Sequence, residues 1–237
     1  AINSLLTMDN EGKYELIIIN DGSTNISTLK ILKEIENRGL LVINQKNKGL
    51  SAARNEGIKI AKGKYILPLD SDNKIKTDHL LSSIEVLENN PQIGVVYGNA
   101  EYFGEKKGLW KNKPFDILEL LKVNYIDACA IFRKSIWEEV GGYDEKMLLG
   151  SEDWDFWIRI AMRGWRFHYV NEVLFEYRVR KDSMVNTITR PNYEAIKKYI
   201  FSKPEYKLAK AWIEQKEKME DKKWLFKQFL RLLFKIK

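Results

Sequence analysis

The chain is poor in the residues that staple or metallate a small fold. Its one cysteine, Cys129, has no internal partner for a disulfide and cannot form a thiolate cluster, so a disulfide scaffold and a zinc module are excluded and a reducing compartment fits. The two histidines, His79 and His168, stand at neither metal nor triad spacing, which leaves Ser-His-Asp chemistry without support. No apolar run approaches the ~18 residues of a membrane span. The opening AINSLLTMDNEGK lacks the charged and apolar regions of a signal peptide. Neither a Walker phosphate loop nor a Gly-x-Gly-x-x-Gly fingerprint occurs, which argues against a kinase and a dinucleotide oxidoreductase. The expectation is a soluble or peripheral protein.

What is present belongs to a folded chain. With 237 residues, 44% hydrophobic and 31% charged, it makes one large or two small globular domains rather than a disordered segment. Forty Lys and Arg against thirty-three Asp and Glu leave a net charge of +7, which favours an anionic partner: nucleic acid, acidic lipid or a phosphorylated substrate. Aromatics interleaved with basic residues, the pattern of nucleic-acid binding, occur only in the tail, so that reading is minor.

Residues 1–104 alternate short apolar runs with helical periods: ELIIIN, TLKILKEIENRG, LLVINQ, SAARNEGIKIAKG, YILPLD, HLLSSIEVLENN and GVVYGNAEYF. Consecutive apolar positions such as Leu16 to Ile19 predict parallel strands covered on both faces, and the stretches between them are long enough for crossover helices. This is an α/β layer of nucleotide-binding type. Polar groups follow two of the strands, Asn20-Asp21-Gly22-Ser23 and Asp70-Ser71-Asp72-Asn73, where open α/β sheets bind ligands. Residues 105–189 carry a helix near Phe115 to Val123, an apolar stretch Ala128 to Phe132, a helix ending at Val140-Gly141-Gly142, a polar helix from Ser151, and strand-like runs at Phe167 to Val170 and Val173 to Val179. No linker separates the halves, so they are expected to share one globule. Residues 190–237 form a basic tail. Over Trp224 to Lys237, Leu225, Phe226, Phe229, Leu230, Leu232, Leu233 and Ile236 fall on one helical face and Lys227, Arg231 and Lys235 opposite, which fits packing on the domain or on a second subunit, or docking of 222–237 on an anionic membrane.

Three places can do chemistry. Asp70 and Asp72, two apart at a strand end, point to one side if the chain stays extended and can together hold Mg²⁺ or Mn²⁺, which completes its shell with water and phosphate oxygens; the alternative is an Asx-rich turn. Asn47 to Asn55 opens a helix with small residues in its first turns, where an anion can approach, and Arg54 offers a planar guanidinium for a diphosphate or base carbonyl, or pairs with Glu56 or another acid. Glu152-Asp153-Trp154-Asp155 opens a helix, where carboxylates also serve the helix dipole. Asp153 and Asp155 lie about 200° apart, so at most one faces a crevice, while Trp157 shares the face of Asp153. One carboxylate beside one aromatic suits a general base for a sugar hydroxyl.

Taken together, ELIIINDGST, NKGLSAARNEGI, YILPLDSDN, Gly-Gly-Tyr-Asp, GSEDWDFWIRIAMRG and FEYRVRKDSM resemble, in order and over roughly residues 5 to 185, the family 2 glycosyltransferases of the GT-A fold. The resemblance implies a mixed central sheet flanked by helices with a C-terminal helical extension. It puts Asp21 on the nucleotide base, with Asn20 where the family commonly has an acid. It puts Arg54 near the nucleotide, Asp70 near the ribose, Asp72 on the metal that bridges the diphosphate, and Asp153 as catalytic base. Arg180 would contact the diphosphate where the family often has a histidine. Glu152, Trp154 and Trp157 become acceptor-side candidates. Family members open with a strand ending in a Pro-x-Tyr-Asn-like turn, whereas this chain starts in what resembles the helix after it, so the first strand is expected to be absent and the chain an incomplete copy that need not be active alone.

The function implied is an inverting, metal-dependent transfer of a sugar from a nucleotide-diphosphate donor to a saccharide or lipid-linked acceptor, in polysaccharide or glycolipid assembly, by a cytoplasmic enzyme peripheral to the inner face of the cell membrane. Two alternatives remain open: a non-catalytic GT-A-like scaffold attached by its basic tail, and a sugar-nucleotide pyrophosphorylase.

Overall fold

A computed structural model describes residues 1–6, 14–76, 80–204, 206, 207, 211 and 218. His79 and the amphipathic segment 222–237 lie outside the described residues. Two compact units divide the chain, residues 1–196 and 197–237. In the second, Phe201 stacks on Tyr206 at 3.8 Å between ring centroids.

After the short helix α1 (Ile2–Leu6), the isoleucine run forms β1 (Ile17–Asp21), which pairs in parallel with β2 (Leu41–Gln45). The crossover between them is α2 (Ile26–Asn37), started by Asn25, whose side-chain oxygen accepts the Thr28 N–H at 3.2 Å. Helix α3 (Leu50–Ile60) packs back on β1, and Gly57 allows the approach: a Cβ there would stand 3.3 Å from Ile19 Cγ1.

The remaining strands are β3 (Tyr65–Ile66), β4 (Lys74–Ile75), β5 (Ile93–Gly104), β6 (Gly108–Trp110), β7 (Ile131–Arg133) and β8 (Arg166–Val179). They make a six-stranded sheet of order β3-β7-β5-β8-β4, with β6 on β5. No ladder joins this sheet to β1–β2 among the described residues. The sheet is mixed, as the family resemblance implies: β5 runs parallel to β8 but antiparallel to β6 and β7. The two runs at Phe167 to Val170 and Val173 to Val179 form one strand, β8, whose pairing with β5 shifts register around Asn99. Because β5 pairs with β7 and β8, residues on both sides of position 104 share one sheet.

Helices α4 (Leu80–Asn89), α5 (Ile117–Lys122), α6 (Lys134–Val140) and α7 (Glu152–Met162) complete the layers, and α8 (Tyr193–Ser202) follows a π-turn at Val185–Thr189 and a 3₁₀ turn at Arg190–Asn192. The core lies under α7, which buries Trp154, Phe156, Trp157, Ile158 and Ile160 against Phe132 and Tyr143. Packing this dense fixes the first turn of α7 and so the carboxylates it carries.

Candidate active site

Arg54 on α3 is the hub. Its Nη2 donates to Asp70 Oδ1 at 2.8 Å, its Nη1 donates to Glu152 Oε1, and its guanidinium lies 5.5 Å from the centre of the Tyr143 ring. The Arg54 side chain is 9% exposed and that of Glu152 5%. Burial alone would weaken the charge of the guanidinium, but Glu152 and Asp70 outweigh it and hold Arg54 firmly protonated.

Two further carboxylates face this cluster. Asp153 follows Glu152 in the first turn of α7, and its Oδ1 accepts the Trp154 N–H at 2.8 Å. Burial, then the negative charges of Glu152 and Asp127, push its carboxyl up to about 8, against the opposing pull of Arg54. Asp127, on the loop before β7, accepts the Cys129 N–H at 2.8 Å; burial and the neighbouring Asp70 push it up to about 7. Tyr177 on β8 stands in the field of Asp127, Asp70, Asp72 and Asp153, which, after burial, raises its hydroxyl pKa. The Tyr143 hydroxyl is buried and has no hydrogen-bond partner among the described residues.

The sequence-predicted residues fall into four groups. Arg54, Asp70, Glu152 and Asp153 are brought together. Asp72 and Arg180 lie beside them and pair with each other, Arg180 Nη2 to Asp72 Oδ2 at 3.1 Å. The extended Asp70–Asp72 segment is corrected: β3 stops at Ile66, and Asp70 to Asn73 is a turn closed by the Asn73 N–H on Asp70 O at 3.0 Å. The two carboxylates are therefore aimed by separate arginines. Asp21 is turned inward, its Oδ1 accepting from Gln45 Nε2 and Lys48 N at 2.7 and 2.8 Å and its Oδ2 from Gly49 N at 2.8 Å, so it braces β1 against the start of α3. Asn20 is likewise occupied, by Asn44 and the Ser23 N–H.

Trp154 and Trp157 are also corrected. Both indoles are fully buried, with N–H groups donated to the Leu120 and Ile126 carbonyls, so they are core residues and not an acceptor wall. Asp155, two residues past Asp153, is buried against Arg159 Nε at 2.9 Å, and Arg159 also donates to the carbonyls of Val140 and Gly142 at 2.7 Å each. Helical phase thus gives the two aspartates opposite duties, one locking the Gly-Gly corner and one facing the cluster.

Sequence reading missed Asp127, Tyr143, Tyr177 and Asn55. The signal for Asp127 was an acid inside the otherwise apolar Tyr125 to Phe132. Asn55 gave none: its Oδ1 accepts from Trp137 Nε1 at 3.0 Å and Tyr143 N at 2.8 Å, and its Nδ2 donates to Tyr143 O at 2.9 Å. Gly142 makes this close approach possible, since a Cβ there would stand 2.8 Å from Asn55 Oδ1.

Among the described residues no group of three metal-ligating side chains forms. The fit to a divalent cation rests on Asp70 and Asp72 alone, two partly exposed hard carboxylates, each with one oxygen on an arginine and no hydrogen bond or ion pair to the other among the described residues. That suits an ion drawing most ligands from water and phosphate.

Comparison with known proteins decides the family. Residues 1–153 match the family described as glycosyl transferase family 2. The chain belongs to this family. It is 29% identical over 189 residues to an uncharacterized glycosyltransferase of Methanocaldococcus jannaschii, covering 75% of this chain and 64% of that protein. It is 30% identical over 182 residues to the poly-beta-1,6-N-acetyl-D-glucosamine synthase of Staphylococcus aureus, covering 71% and 43%. The chain thus spans two thirds or less of these curated relatives. The family fold is shared by the solved S. aureus TarS 1-349 with UDP-GlcNAc, at TM-score 0.65 and 19% identity, covering 78% of this chain and 56% of that one. It is shared too by the mannosyltransferase PcManGT of Pyrobaculum calidifontis with GDP-Man and Mn²⁺, at TM-score 0.57 and 19% identity, covering 77% and 53%. These solved structures share the chain's α/β GT-A-like fold.

Proposed function

We propose that the chain carries the donor site and catalytic centre of an inverting transferase that moves a sugar from a nucleoside-diphosphate donor to an acceptor hydroxyl. The observation that carries this reading is the convergence of Asp70, Glu152, Asp153 and Asp127 on Arg54, joining the end of the nucleotide-side strand β3 to the start of α7. Asp153 takes the proton of the acceptor hydroxyl; the oxygen attacks the anomeric carbon, the bond to the diphosphate breaks on the opposite face, and the configuration inverts. Arg54 is a positioning residue, because both its arms are engaged by acids it holds in place. Asp70 and Asp72 would hold Mg²⁺ or Mn²⁺, which when bound neutralises the leaving diphosphate. Arg180, at the rim, releases Asp72 and turns to the diphosphate. The acceptor is a growing saccharide or a lipid-linked one in cell-envelope assembly.

UDP-N-acetylglucosamine is the first donor to try, because the S. aureus synthase is named for that sugar and TarS was solved with it. GDP-mannose, bound in the PcManGT structure, is the second. Calorimetric titration with UDP, GDP and dTDP, with and without Mn²⁺, tests the reading: metal-dependent binding of one supports it, and binding of none by the folded chain moves the reading to a non-catalytic scaffold. Asp153→Asn should keep donor binding and lose turnover by about 10²–10⁴-fold. A base whose carboxyl is raised to about 8 is mostly protonated below that pH and mostly charged above it, so kcat/KM should climb through that pH and level off above it. A flat profile between pH 6 and about 9 would remove Asp153 from the role.

A further inference from the structure

The turn Asp70–Asn73 carries both carboxylates offered to a cation, yet little of its own structure holds it. The strand that follows, β4, is two residues long and joins the sheet only through Lys74 opposite Glu176 and Ile75 opposite Phe175 on β8. A ladder this short does not fix a turn by itself. The grip comes from farther along β8, where Arg178 holds the turn twice. Its backbone N–H donates to Asn73 Oδ1 at 2.9 Å, and its Nε donates to the main-chain carbonyl of Asp72 at 3.1 Å. Asn73 is 1% exposed, so its side chain serves this bond and not solvent. Its N–H closes the turn on Asp70 O. Both polar groups of the Asp72–Asn73 peptide are therefore bound, the N–H inside the turn and the carbonyl by Arg178.

The arginine is itself held. Side chains alternate along β8, so Tyr177 packs on the core around Cys129 while Arg178 lies on the other face. There it meets Phe103, its pairing partner on β5, with the guanidinium carbon 4.5 Å from the ring centre. Lys74 Nζ lies 4.3 Å from the same ring and donates to Glu176 Oε2 at 2.7 Å. A planar guanidinium can lie against a ring while its Nε–H stays aimed at a carbonyl, which an ammonium on a flexible stem does not reproduce. Two positions on, Arg180 takes the Asp72 carboxylate. The two arginines divide one residue between them, Arg178 holding the main chain of Asp72 and Arg180 its side chain. Only the second contact occupies an oxygen that a cation would need.

We propose that Arg178 is a positioning residue for the metal-holding carboxylate: it fixes the main chain of Asp72 at the place from which the side chain can leave Arg180 for a divalent cation. The proposal rests on the reading of Asp70 and Asp72 as the metal-holding pair. Its test uses the full chain, titrated with Mn²⁺ alone by loss of the free-ion paramagnetic resonance signal and followed by hydrogen exchange over residues 70–75. Arg178→Met keeps the apolar stem and removes the Nε–H together with a positive charge. Charge alone predicts tighter Mn²⁺ binding, whereas loss of the clamp predicts binding about tenfold weaker. The weaker binding is the expected result, with exchange across the turn faster by roughly tenfold and exchange in α7 unchanged. Phe103→Leu, which keeps every charge and hydrogen-bonding group, should weaken Mn²⁺ binding by about two- to fivefold. Mn²⁺ affinity of Arg178→Met equal to or above that of the wild type, or unaltered exchange across the turn, would overturn the proposal alone. A wild type that takes up no Mn²⁺ would overturn the metal reading and the proposal with it.

Discussion

Two acidic segments of this molecule read alike in the sequence and differ in the fold. The turn Asp70–Asn73 and the first turn of α7, Glu152–Asp155, each present two aspartates two positions apart. In the turn, both carboxylates are partly exposed and each meets its own arginine, Asp70 with Arg54 and Asp72 with Arg180. In the helix, Asp155 is buried against Arg159 and Asp153 sits beside Glu152 and Asp127 with its carboxyl raised to about 8. Exposure suits the first pair to ligands that arrive with their own positive charge. Burial suits the second to holding and releasing a proton.

Arg54 links the two segments, so removing it should have the largest effect. Arg54→Met keeps the length and apolar stem of the side chain but leaves Glu152 buried without a partner, which should cost about 3–5 kcal/mol of stability. Arg54→Met with Glu152→Gln, which removes that stranded charge, should recover much of the loss by thermal or denaturant unfolding. If the single variant is as stable as the wild type, the buried pair does not organise the site.

The contrast also sets what the sequence could reveal. Consecutive apolar strand positions at Leu16 to Ile19 and the helix-start acids at Glu152 were legible because they follow local rules of periodicity and capping. The extended Asp70–Asp72 reading failed because β3 is only two residues long, and a strand end is set by pairing with β7, which is not a local property. Trp157 was assigned to the right helical face with respect to Asp153, yet the face is wide enough to dip into the core at one end and open at the other. Asp127 and Tyr143 reach the cluster through contacts across more than 70 residues, from Arg54, and no spacing rule carries that information.

Asp127 sharpens the comparison from the buried side. Its carboxyl is raised from the ordinary carboxylate range to about 7, so the folded state binds its proton more tightly than the unfolded state. Stability from this group is full below about pH 4 and is lost as pH rises through 7. Asp127→Asn removes the charge that burial resists and should stabilise the fold above pH 7 by an amount on the order of 2 kcal/mol, read as a higher melting temperature there with little change near pH 4. The same substitution lowers the pKa of Asp153, because Asp127 is one of the charges that raise it, so the pH profile of kcat/KM should move to lower pH. A melting temperature equally affected at both pH values would place the effect in packing rather than in charge.

Arg180 tests the exposed side and should give the smallest effect. Its pair with Asp72 is solvent-exposed, with 48% and 33% of the two side chains accessible, so Arg180→Ala should change stability by no more than about 1 kcal/mol. The informative readout is binding. Without the guanidinium, Asp72 loses a competitor for Mn²⁺, and the affinity for the metal alone should rise by about two- to fivefold. If Arg180 turns to the diphosphate when the donor enters, the affinity for the nucleoside diphosphate should fall at the same time. Opposite shifts in the two titrations identify an arginine that exchanges a carboxylate for a phosphate, whereas a loss of metal affinity would mean that Arg180 holds Asp72 in its binding position and that the exposed turn, like the buried helix, is organised by its arginine.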